Sequence, residues 1–285
     1  MNKIQERSLL AQNYPGIPAT DGAGVKLTRL LGTPELDQID PFLMLDRIDS
    51  DDPDSYIAGF PDHPHRGFET VTFIHDGLMR HRDSVGNEGV LSAGDVQWMT
   101  AGKGIIHSEI PEMINGKLSG FQLWVNLPST KKMVEPRYQD IVSSEIPENT
   151  LENGVERVIA GNHSGILGAA KTHTQVKILD INMEKDSMWQ IQPEQENNFF
   201  ICVYSGSLIT KNVDNETVEI FSPNIMLFDK PSNLSVKSGK DGASFLFCEG
   251  TPIKEPVARM GPFVMNTQEE LLKAVEDYNS GSFAV

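Results

Sequence analysis

Residues 60–70 read FPDHPHRGFET. His63 and His65 flank Pro64, and Glu69 follows four residues after His65. In extended chain, side chains two apart point to the same face. A residue that precedes proline is pushed towards that geometry. Pro64 has no N–H to give to a ladder, so it suits an edge, a bulge or the start of a strand. The stretch therefore reads in one of two ways: half of a metal site at the opening of a β-barrel, or two polar residues on a surface loop.

A second pair bears on that choice. TAGKGIIHSEIPE (100–112) sets His107 and Glu109 two apart after a glycine-rich turn. Two such strands side by side would bring three imidazoles and one carboxylate together. That donor set suits iron, manganese, nickel, copper or zinc and leaves positions open for water or substrate. The other histidines have no such spacing. His75 at a hairpin turn and His81 beside Arg82 and Asp83 read as surface residues or as supports for ligands. His163 and His173 read as structural or solvated.

Around the histidines the pattern is β. ETVTFI (69–74), GDVQWMT (94–100), SGFQLWVNL (119–127), QVKILDINM (175–183), FFICVYSG (199–206) and ASFLFCEG (243–250) are rich in β-branched or aromatic residues and are bounded by turn residues. Many short strands with glycine-rich turns predict a sandwich or barrel. One helix is predicted near the C-terminus, about 267–280. Thr267 caps it, Glu270 completes a capping box, Leu271, Leu272, Val275 and Tyr278 form its apolar stripe, and Gly281 stops it. A weaker helix is expected around 136–145, after Pro136.

The chain also repeats faintly. HPHRGFETVTFIHDGLM (63–79) matches QPEQENNFFICVYSGSL (192–208) at a shift of 129, which takes His63 to Gln192 and His65 to Glu194. SAGDVQWM (92–99) matches SPNIMLFD (222–229) at a shift of 130. Two β units are expected, 1–135 and 136–285, the second without the histidines.

Composition limits the partners. The 285 residues carry 24 basic and 40 acidic side chains, a formal net charge of −16. No basic run breaks that excess, so direct contact with a nucleic-acid backbone is not expected. No stretch has the length of a membrane span, and MNKIQERSLLAQNYPG has no apolar core of signal-peptide length. A cytoplasmic protein follows. Cys202 and Cys248 lie in apolar runs and read as reduced core thiols.

Four motifs in order, FPDHPHRGFETVTF, GDVQWMTAGKGIIHSE, QLWVNLP and GPFVMNTQEELLKAVEDY, resemble the pirin family of the cupin superfamily. The resemblance runs from about GVKLTRLLGTPELDQIDPFLMLD to the final helix. It implies an all-β protein of two stacked cupin β-barrel (jelly-roll) domains with a C-terminal helix. It implies one transition metal ion per chain, held in the N-terminal domain by His63, His65, His107 and Glu109, with iron first and Mn, Ni, Cu, Co or Zn as alternatives. The general cupin pattern His-x-His-x3-Glu also fits His63, His65 and Glu69, whose strand parity matches His65. Both glutamates therefore stand as candidates, and the resemblance to pirins favours Glu109.

Two functions follow from the resemblance. Some pirins are similar to quercetin 2,3-dioxygenase, which opens a flavonol such as quercetin with O2; Glu109 would then be ligand and catalytic base. Others resemble redox-sensitive regulatory modules that act through a protein partner without turnover. An open cavity beside the metal would favour the enzyme, and a plugged one the module.

Overall fold

β-Branched and aromatic side chains lose little freedom on a pleated surface and pack well there. All six runs that carry them are strands: Phe68–Asp76, Val96–Thr100, Leu118–Asn126, Val176–Met183, Asn198–Asn212 and Leu234–Gly250. The computed structural model describes residues 9–112, 116–229 and 233–283, and among these residues it has one α-helix. No described helix is long and apolar enough to cross a membrane. The strands fall into two units that do not divide linearly at residue 135. One comprises Ile17–Thr33, Asp40–Glu145 and the segment from Ile253; the other takes residues up to Gly16, Pro34–Ile39 and Ile146–Pro252. The C-terminal segment with its helix thus groups with the histidine motifs.

Strand β1 (Leu9–Pro15) lies in the second unit. The first unit is built from β2 (Ile17–Asp21), β3 (Val25–Leu31), β4 (Phe42–Ser50), β5 (Phe60–His65), β6 (Phe68–Asp76), β7 (Leu78–Asp83), β8 (Glu88–Leu91), β9 (Val96–Thr100), β10 (Ile105–Glu112), β11 (Leu118–Asn126) and β12 (Arg137–Ile141). A seven-stranded sheet has the order β12-β9-β6-β11-β4-β3-β2, and a four-stranded sheet the order β5-β10-β7-β8. The pairings are antiparallel, and the two sheets form a jelly-roll. Val25, Ile74 and Leu118 from the first sheet meet Met79 and Leu91 from the second in a buried cluster. Burying each such side chain stabilises the fold by about 1.5–3 kcal/mol.

The expected helix at 136–145 is absent: Arg137–Ile141 is β12, paired with β9 along its length. Its residues Tyr138 and Asp140 face the barrel interior at alternate positions, a period-2 pattern that a short polar stretch hides in sequence. The C-terminal helix α1 (Gln268–Asn279) is as predicted at its start. Thr267 Oγ1 accepts from the Glu270 N–H, and Glu270 Oε2 accepts from the Thr267 N–H. Its buried face is narrower than the expected stripe. Leu271 and Ala274 are buried, whereas Leu272 and Tyr278 are exposed. An ion pair of 2.8 Å joins Asp277 to Arg66, the residue after His65.

The second unit has a nine-stranded sheet in which Asn198–Asn212 and Leu234–Gly250 run antiparallel. The sequence repeat is real in register. Thr72 pairs with Gln97 in the first unit and Ile201 with Met226 in the second, so both strands move by 129 rather than by 129 and 130. Where the first unit has its histidine pair, Gln192 and Glu194 are exposed, and the interior is filled by Trp189, Phe245 and Phe247 among others. Cys202 and Cys248 are buried and free, as expected.

Candidate metal centre

Strand β5 delivers the first two imidazoles. It pairs with β10 so that His63 stands opposite His107 and His65 opposite Ile105. Directly opposed residues share a face, and His65 shares that of His63 by strand alternation. The three rings accordingly converge, with centroids 4.4 Å (His63–His107), 4.7 Å (His63–His65) and 5.0 Å (His65–His107) apart. One nitrogen from each lies within 4.8 Å of the others. Nε2 of His63 and Nε2 of His65 are 3.0 Å apart. Two nitrogens bound roughly 2.1 Å from one ion at a right angle would lie at about that separation.

The burial of His107 is a second sign of a missing cation. Its side chain is 1% exposed, and neither ring nitrogen has a hydrogen-bond partner. Such an orphaned group costs about 1–3 kcal/mol, which a bound ion would offset. Burial pushes the His107 ring down to about 4, with His63 adding to the effect and Glu109 opposing it. Burial, then His107 and His63, hold His65 well below the ordinary imidazole range. Both rings are therefore neutral at physiological pH, the form that ligates.

Glu109 is buried on the same face of β10 as His107. Its Oε1 accepts from Thr72 Oγ1 at 3.1 Å and its Oε2 from Gln122 Nε2 at 2.8 Å. Gln122 Oε1 in turn accepts from Trp124 Nε1 at 3.3 Å. Glu109 stands outside the tight nitrogen cluster but lines the same cavity as His63 and His65.

Glu69 is elsewhere. The parity that ties it to His65 in sequence is broken at Gly67, whose φ of +89° turns the chain from β5 into β6. A Cβ at Gly67 would strike the Val264 carbonyl oxygen, so glycine is required there. On β6, Glu69 falls on the face opposite Thr72, and its carboxylate accepts from Thr100 Oγ1 at 2.7 Å.

The remaining histidines differ in kind. His81, opposite Glu109 in the β7–β10 ladder, is buried rather than superficial. Its Nε2 lies 3.0 Å from Asp140 Oδ2, and its ring stacks on Tyr138 at 5.4 Å. His75 packs edge-on against Phe121. His163 binds Glu156 at 2.8 Å in the second unit, and His173 is half-buried there.

A cavity of about 640 Å3 opens beside the cluster. His63, His65, Glu109, Thr72 and Gln122 form its polar end, and Leu27, Met44, Phe121 and Trp124 are among its apolar walls. Phe68 and Trp124 meet His65 at ring distances of 5.1 and 5.3 Å. The Arg259 guanidinium covers the Trp124 ring at 4.9 Å. Sequence reasoning had not found Thr72, Gln122, Arg29, Asp46 or Arg259. Their one signal is a lone polar residue at an inward position of an apolar strand, as in FLMLD or GFQLW.

Two family models match the chain, Pirin over residues 24–125 and the Pirin C-terminal cupin domain over 178–284. A Pseudomonas aeruginosa protein with a provisional quercetin 2,3-dioxygenase name is 43% identical, over 95% of this chain and 96% of its own. The chain belongs to the pirin family. Human pirin is 37% identical, over 92% of this pirin-family chain and 89% of its own. The solved structure of a quercetin 2,3-dioxygenase from Acinetobacter baumannii matches with a TM-score of 0.88 and 31% identity, over 97% of this chain and 98% of that one. The bicupin fold and a histidine cluster suited to one metal ion are thus common ground between residues and relatives.

Proposed function

We propose that this chain is a metal-dependent dioxygenase that opens a flavonol such as quercetin with O2. His63, His65, His107 and Glu109 are the ligands of one metal ion, iron, and Glu109 is the catalytic base. The observation that carries this reading is the cavity. At about 640 Å3 it falls in the range of roughly 300–1,000 Å3 that takes a drug-sized ligand, and two of the imidazoles stand in its wall. The likeness to the Acinetobacter enzyme supports it.

When bound, the metal would lower the pKa of the flavonol 3-hydroxyl and stabilise its anion. The protein does the rest. Leu27, Met44, Phe121 and Trp124 offer flat apolar surface to the aromatic rings. Thr72 and Gln122 each donate to one oxygen of Glu109 and so fix the carboxylate plane. Each oxygen keeps a second lone pair, enough to take the hydroxyl proton. Phe68 and Trp124 hold the His65 ring and keep water from its flank.

The test is O2 uptake and carbon monoxide release on quercetin by metal-reconstituted protein. Turnover is expected. A fully loaded protein that turns over no flavonol would overturn the enzyme reading in favour of a regulatory module.

A further inference from the structure

Six residues on successive strands stand in one rung of the seven-stranded sheet. Arg29 on β3 is opposite Asp46 on β4, Asp46 is opposite Gln122 on β11, and Gln122 is opposite Thr72 on β6. Thr72 is opposite Gln97 on β9, and Gln97 is opposite Asp140 on β12. Directly opposed residues share a face, and here it is the face towards the cavity and Glu109. Above and below the rung that face is mostly apolar: Met44 and Ile48 on β4, Ile74 on β6, Leu118 and Trp124 on β11.

Three members already have a task at the metal end, since Thr72 and Gln122 hold Glu109 and Gln97 holds Asp140. Arg29 and Asp46 do not. They pair with each other, Nε to Oδ1 at 2.8 Å and Nη2 to Oδ2 at 2.7 Å, and both line the cavity. Asp46 is 5% exposed. A buried ion pair is weak evidence of a stabilising role, because desolvation offsets most of its attraction. A charged pair in an apolar cavity wall, beside the residues that hold the base, is placed to meet a ligand.

We propose that Arg29 and Asp46 form a hydroxyl-recognition subsite, so that the cavity takes an aromatic ligand with a ring hydroxyl remote from the metal-binding one. This inference rests on the flavonol reading above. Strands lie roughly 4.8 Å apart, so Asp46 is one strand spacing, and Arg29 two, from the Gln122 that carries Glu109. A planar aromatic ligand can bridge that span. Each Asp46 oxygen has a second acceptor direction beyond the one that Arg29 uses. The guanidinium of Arg259 lines the cavity nearby. A group that both donates and accepts, a phenolic hydroxyl, suits an acceptor and donors side by side. A second carboxylate does not, because it would face Asp21, Asp46 and Glu109.

The test compares quercetin with 3-hydroxyflavone, which keeps the 3-hydroxyl but lacks the other ring hydroxyls. Binding is read by quenching of tryptophan fluorescence, with and without metal, so turnover is not needed. Asp46→Asn alters the acceptor and leaves Arg29 in place. The double variant Arg29→Met with Asp46→Leu removes both charges at similar volume, so no unpaired charge is left buried. The unmodified protein is expected to bind quercetin about 10- to 100-fold more tightly than 3-hydroxyflavone, the range for a hydrogen bond to a charged group. In the double variant that preference should collapse, with metal content unchanged. Equal binding of the two flavonols by the unmodified protein would overturn the subsite alone. So would a preference that survives in the double variant. Failure to bind either flavonol would overturn both the subsite and the flavonol reading.

Discussion

Glu109→Gln is expected to spare the fold and remove the chemistry. Both carboxylate oxygens of Glu109 accept, one from the Thr72 hydroxyl at 3.1 Å and one from the Gln122 amide at 2.8 Å. Glutamine keeps the length but turns one oxygen into an NH2. Facing Gln122, that NH2 would set donor against donor. Facing Thr72, it meets a hydroxyl that can rotate and accept. The second orientation therefore wins, and both contacts survive as neutral hydrogen bonds. A bond to a charged group is worth about 1.5–3 kcal/mol and a neutral one about 0.5–1.5, so the stability cost should be about 1–2 kcal/mol. The rate is another matter. An amide cannot take a proton at neutral pH, and loss of a general base typically costs roughly 100- to 10,000-fold, equivalent to about 3–5 kcal/mol. Oxygen uptake on quercetin, metal content and urea midpoints of the variant separate the two effects. Glu69→Gln is the comparison, since Glu69 faces away from Thr72 and binds Thr100; its turnover should stay within an order of magnitude of the unmodified protein. The reasoning is refuted if Glu69→Gln abolishes turnover while Glu109→Gln retains it.

His65→Ala and His107→Ala should each lose the metal but keep the far-ultraviolet circular dichroism of the β-fold, because the core is apolar and separate from the rings; a full metal complement in either would show that the ring is no ligand. In metal-free protein, acidification should weaken the fold. His107 has its ordinary value of 6.5 in the unfolded chain and about 4 when folded. Between those limits the unfolded chain binds a proton that the folded one does not. Stability therefore rises with pH across that window and is lost as pH falls from 6.5 towards 4. At about 1.36 kcal/mol per pH unit the whole span is worth roughly 3 kcal/mol. Urea titrations of the metal-free protein and of His107→Gln should diverge in that window; parallel curves would contradict the assignment.

The fold was largely legible because its signals are local. Apolar alternation marks the strands, the Thr267–Glu270 box marks the helix, and the 129-residue repeat survives in the pairing of Thr72 with Gln97 and Ile201 with Met226. The histidine cluster was legible for the same reason: two residues at i and i+2 need only be extended to point together. What sequence hides is register. Arg29, Asp46, Gln122, Thr72, Gln97 and Asp140 come from six strands, and each is one polar residue in its own stretch. The turn at Gly67 resets the parity that made Glu69 look equivalent to His65. The strand at 137–141 has its partner in β9, some forty residues earlier, so its helix-like composition misled.

The central claim is a single metal site that turns over a flavonol. It is tested most directly by oxygen uptake on quercetin while iron is added stepwise to the metal-free protein. Uptake should rise with each addition and level off at one equivalent per chain. No uptake at any loading, or a plateau near two equivalents, would contradict the account.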